Sequence, residues 1–121
     1  MEVSYLHNGK YLVNIMLNKV QGEMQEPNRS YVLDYHKHLQ IAGKDARTQA
    51  RQLWELRFII GALGLKDTKT ATTEDVKEII LKVIKEDKAA ISKRKIILTM
   101  RVFFFFLHCS NSINEPFSLQ H

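Results

Sequence analysis

Residues 45–64 read DARTQARQLWELRFIIGALG, and their spacing decides the fold. Leu53, Leu56, Ile60 and Leu63, supported by Ala50, recur at the three- and four-residue intervals of one helix face. Trp54 and Phe58 fall on the opposite side, so the second half of the segment is apolar nearly all round. A helix of that kind needs neighbours on both sides and is therefore central. Asp45 is placed to cap its first turn, where a carboxylate can accept from backbone N–H groups that have no helical partner. The first two turns differ in kind. Arg47 and Arg51, at i and i+4, share a stripe directed away from the Leu53–Leu56–Ile60 face.

Upstream, the pattern predicts two more helices. One runs from Lys10 to about Gln21, with Leu12, Ile15 and Met16 at helical spacing, Val13, Leu17 and Val20 on a neighbouring stripe, and Gly22 as its stop. The segment QEPN at 25–28 is a break, and Asn28 suits the N-cap of a helix from Arg29 to Ala42. Val32, Tyr35 (or His36), Leu39 and Ala42 form its stripe, and Gly43 ends it.

Downstream, Thr72 or Thr73 caps a helix whose first turn carries Glu74 and Asp75, acids that complement the helix dipole. Val76, Ile79, Ile80, Val83 and Ile84 then repeat with period 3.6 rather than 2, which rules out a strand despite the β-branched residues. After a short connection at 87–90, a last helix is predicted from Ile91 to Leu107, with Ile96, Met100, Phe103 and Leu107 along one side. Its first half is basic: Lys88, Lys93, Arg94, Lys95 and Arg101 occur with no acidic residue among them. Residues 109–121 are polar and contain Pro116, and read as a tail or linker.

Composition narrows the function. The 121 residues suffice for one domain, and a 45% hydrophobic fraction can supply its core. Few Gly and Pro, 5 and 2, argue against disorder and against a turn-rich β sandwich. Eighteen Lys and Arg against 13 Asp and Glu give a net charge of +5, with a sequence pI of about 9.4. That balance favours polyanions, nucleic acid before an anionic membrane surface. Cys109 is the only cysteine, which excludes an intrachain disulfide framework and fits a reducing, cytoplasmic setting. The most apolar run, 96–109, is interrupted by Arg101 and too short to span a bilayer, so no membrane is expected.

The order of these signals carries a resemblance. NRSYVLDYHKHLQIAGKDARTQARQLWELRFIIGALG (28–64) followed by ATTEDVKEIILKVI (71–84) resembles the N-terminal core-binding (SAM-like) domain of tyrosine recombinases and phage integrases, especially archaeal-type ones. The matching elements are Gly43, Lys44–Thr48, Trp54–Phe58, Leu63–Gly64, Thr72–Val76 and Phe103–Phe106. One position departs: Gln52 stands where the family often has an aromatic. The resemblance implies an all-α fold, a compact bundle of four core helices in two crossed hairpins plus the short N-terminal helix. Residues 1–27 would be a leader and 28–108 the domain. It implies one half of a double-stranded DNA clamp, used in site-specific recombination and DNA integration. The contacts would be Lys44, Arg47, Thr48 and Arg51 from one helix start, and Lys93, Arg94, Lys95 and Arg101 from the last helix.

Catalysis is not expected of this chain. The family's strand cleavage uses a Tyr near the C-terminus and a His-x-x-Arg pair. Here no His-x-x-Arg occurs, and Tyr5, Tyr11, Tyr31 and Tyr35 all lie in the first third. The family's catalytic domain would follow where this sequence stops. His36 and His38, at i and i+2, do not face one another on a helix, so neither a metal nor another cofactor is expected. The alternative reading is a helical protein-interaction module. It would use the 103–107 aromatic cluster, its basic surface serving solubility; in the DNA-binding reading the same Phe103–Leu107 region would meet a catalytic domain or like protomers.

Overall fold

The computed structural model describes residues 9–64 and 66–113, the last four of these by their backbone alone. Helices α1 (Gly9–Glu23), α2 (Asn28–Ile41), α3 (Ala46–Leu63), α4 (Thr73–Lys85) and α5 (Ala90–Ile113) follow one another, with a 3-10 turn at Thr68–Thr70 before α4. Among the described residues there is no strand. The fold is all-α, as the periodicity predicts.

Helix α3 touches each of the other four helices and is the axis of the bundle. Ala50, Leu53, Leu56, Ile60 and Leu63 are buried as predicted, and Ile59 joins them because α3 is covered on more than one side. Trp54 stays partly open, and Phe58 packs against the core from its edge. Asp45 caps the helix, its Oδ1 accepting from the Thr48 backbone N–H at 2.8 Å.

Helix α1 is no appendage. Val13, Met16 and Val20 are part of the same core, whereas Leu12 is exposed, so the buried face is turned by about one residue from the predicted leading stripe. Two adjacent apolar stripes leave that phase open, and the docking on α3 selects it. A Cβ at Gly9 would lie 2.7 Å from the Ala46 Cβ and 2.8 Å from the Arg47 nitrogen, so glycine permits the two helix starts to touch. Gly22 does not stop α1; it lies inside the helix with open space around it.

Asn28 is likewise not an N-cap. It is the first residue of α2, and Pro27 precedes it without a side-chain cap. Its amide crosses instead to the segment before α4: Nδ2 donates to the Lys66 carbonyl at 2.8 Å, and Oδ1 accepts from the Thr68 backbone N–H at 2.8 Å and from the Thr68 hydroxyl. A loop that turns inward must find partners for its polar groups, and Asn28 provides them. α2 ends at Ile41, with Gly43 at φ +79°.

Thr72 and Asp75 form a capping box at the start of α4. Ile79 and Val83 are buried, but Ile84 is exposed, because only one side of α4 is covered. In α5, Ile96, Met100, Phe103 and Leu107 are buried as predicted. Phe103 and Phe106 meet the Tyr35 ring edge-on, with centroids 5.4 and 5.2 Å away. α5 runs on to Ile113, past the predicted end at Leu107, since neither Gly nor Pro interrupts the polar stretch that follows. The remainder of the predicted tail, 114–121, lies outside the described residues.

Replacing Asn28 by Ala removes the partner of a buried N–H, a hydroxyl and a carbonyl at once. Chemical denaturation is expected to show a loss on the order of 2–3 kcal/mol, with the far-ultraviolet helical signal retained below the transition.

Candidate nucleic-acid interface

The start of α3 lies beside the middle of α5, and α2 completes the wall. Between them runs a groove of about 520 Å³, whose polar lining includes Lys44, Thr48 and Arg51 on one side and Lys95 and Thr99 on the other. A second hollow of about 390 Å³ continues past Arg51 and Lys95 toward Trp54, Lys88 and Ser92. The two share Arg51 and Lys95, so one basic furrow passes over the α3–α5 contact.

A buried carboxylate holds this contact together. Glu55 is 3% exposed, one helical turn beyond Arg51. Arg51 Nη1 donates to both Glu55 oxygens at 3.0 Å, and the Thr99 hydroxyl donates to Oε1 at 2.6 Å. Isolated burial of a carboxylate is costly, and these donors offset it. The pairing pins the Arg51 guanidinium at the wall between the hollows and cancels part of its charge.

Below the furrow, the Tyr35 hydroxyl donates to Gln52 Oε1 at 2.6 Å. Gln52, where the resemblance would place an aromatic, thus serves as acceptor for a buried phenol. Burial pushes the Tyr35 pKa up to about 12, the Glu55 carboxylate adding to the rise and Arg51 opposing it. His36 Nε2 lies 2.8 Å from Gln49 Oε1, and Gln49 Nε2 donates to the Lys44 carbonyl, fixing the turn that carries Lys44.

Of the residues expected to contact DNA, Lys44, Thr48, Arg51 and Lys95 are brought together. Arg47 stands exposed one turn before Arg51 and lines neither hollow. Lys93 turns the other way: its Nζ donates to the Ile84 carbonyl at 2.6 Å, satisfying the end of α4. Arg94 and Arg101 are exposed on the outer side of α5, roughly 100° and 120° around the helix from Lys95. The eight residues therefore do not share one face.

Glu55, Lys88 and Trp54 were not among the predicted site residues. Lys88 Nζ lies 4.7 Å from the Trp54 ring centroid, a cation–π contact on the furrow floor. A charge at position 55, between Leu53 and Leu56 and four residues after Arg51, is the sequence signal for the buried pair. His36 is buried and His38 packs its ring on Phe106; among the described residues no three potential metal ligands cluster. No described helix is long and apolar enough to cross a membrane. Compared with known protein families, curated proteins and solved structures, the chain matches none.

Three outcomes test this geometry. Arg51→Ala strands the buried Glu55 carboxylate and is expected to cost on the order of 1–3 kcal/mol; Arg51 is 38% exposed, which keeps the cost below that of a fully buried pair. Lys95→Ala, at an exposed position, is expected to leave the denaturation midpoint nearly unchanged. Burial favours the neutral phenol of Tyr35, so its contribution to stability is complete below pH 10 and is lost as pH rises through about 12. A phenolate absorbance titration is expected to show a late-ionising tyrosine that Tyr35→Phe deletes.

Proposed function

We propose that the chain binds double-stranded DNA along the Lys44–Arg51–Lys95 furrow, as the non-catalytic core-binding half of a tyrosine recombinase. The observation that carries this reading is the convergence of cations from two separate helices on one furrow. Neither helix alone presents it. Lysine and guanidinium groups suit phosphate oxygens, and Thr48 adds a hydroxyl donor. Such contacts fix the position of a duplex and carry little sequence information, so the binding is sequence-tolerant. A reducing, cytoplasmic setting belongs to the same reading, since Cys109 is the only cysteine. Cutting and joining fall to a separate domain; this chain is expected to leave no covalent adduct on nicked or supercoiled DNA after denaturation.

The alternative, a protein module built on the 103–107 cluster, has less support. Phe103 and Leu107 are buried, and Phe104 and Phe106 are partly covered by the same core. Of that cluster only Phe105 stays open, and the rest is consumed by folding.

Salt dependence tests the proposal. Log affinity for duplex DNA is expected to fall linearly with log salt, at about 0.9 per phosphate neutralised. Lys44→Ala with Lys95→Ala is expected to flatten the slope by up to about two units, similarly on unrelated sequences. Lys82→Ala with Lys85→Ala, on α4, is the control. An equal loss in the control would assign binding to diffuse charge and overturn the furrow.

A further inference from the structure

The outer side of α5 carries a second surface. Ile91, Leu98 and Phe105 are spaced by seven residues and are 59%, 57% and 70% exposed. Seven residues return to within about 20° of the same direction on a helix, so the three form one nearly straight seam. Val102, also exposed, widens it on the side of the basic furrow, where it and Leu98 form the rim. Arg94 and Arg101 flank the seam on the opposite side, one between each pair of apolar residues. The helix is 24 residues long, enough for this seam to lie along a partner helix.

We propose that this face docks an amphipathic helix of another polypeptide, apolar along its centre and acidic at the flank that meets Arg94 and Arg101. Charge selects the occupant. From Lys88 to Cys109 the chain has five Lys or Arg and no acidic residue. A second copy applied by the same face would set these cations against each other, as symmetric pairing requires. Duplex DNA would engage the arginines but leave Leu98 and Phe105 against a hydrated, anionic backbone. A lipid surface favours a broad apolar face, whereas here a narrow stripe is bordered by Arg94 and Arg101 on one side and by Lys95 on the other. A seven-residue apolar repeat bordered by charges of one sign is the recognition pattern of helix-to-helix pairing, in which the flanking charges choose the partner.

The full chain can be tested with a synthetic helical peptide bearing Leu at every seventh position and Glu on the matching flank, its fluorescence anisotropy being followed. Binding is expected, weakened roughly tenfold or more by Arg94→Glu with Arg101→Glu, and restored to that variant by a peptide with Lys in place of Glu. Phe105→Ser is expected to weaken binding without altering the circular dichroism spectrum, since its side chain is mostly outside the core. Absence of binding, or equal binding of the Glu and Lys peptides, overturns the proposal. So does dimerisation of the chain alone that Phe105→Asp abolishes, or retention on anionic phospholipid vesicles that Phe105→Ser abolishes.

Discussion

Helix α3 cannot exist without the rest of the molecule. Leu53, Leu56, Ile59, Ile60 and Leu63 crowd it from residue 53 onward, and each large aliphatic side chain gains on the order of 1.5–3 kcal/mol only if it leaves water. No single neighbour can cover them all. α1, α2, α4 and α5 must therefore surround α3, and their positions are defined relative to it. The crowding is confined to one end. The first two turns carry Arg47, Thr48 and Arg51, so the helix that organises the core also supplies Thr48 and Arg51 to the furrow.

The boundary between those two roles falls at Glu55. A well-packed aliphatic there would cost less to bury than a carboxylate. In return, Glu55 joins α3 to α5 through Thr99 while it holds Arg51 on its own helix, which fixes how the two helices lie at the furrow. The furrow's walls are thereby set by core packing rather than by flexible surface chains. Lys44 and Lys95 supply its charge from exposed positions on either side. Sites supported in this way lose little order on binding, because the supporting shell is already in place.

Much of the fold is legible in the sequence. The α3, α4 and α5 stripes, the Asp45 cap and the Thr72 box rest on strong local signals, and they place the helices nearly where the structure has them. What periodicity could not fix was phase and role. α1 offers two neighbouring apolar stripes, and only its contact with α3 selects Val13 and Val20 over Leu12. Asn28 looks like a cap from its neighbours in sequence, but its partners Lys66 and Thr68 are distant in the chain. The site was legible only as two basic helix starts. That Lys95 meets Arg51 while Arg94 points elsewhere depends on the rotation of α5, which the buried Ile96, Met100 and Phe103 set.

The proposed DNA-binding face joins Lys44, in the turn before α3, to Arg51 on α3 and Lys95 on α5. Backbone amide chemical shifts, recorded while a short duplex of arbitrary sequence is added, test it residue by residue. The changes are expected to gather at 44–52, the turn before α3 and its start, and at 88–99 around the start of α5, and to leave α4 between residues 77 and 85 nearly still. Changes centred on α4, or spread evenly over every exposed lysine and arginine, would contradict it.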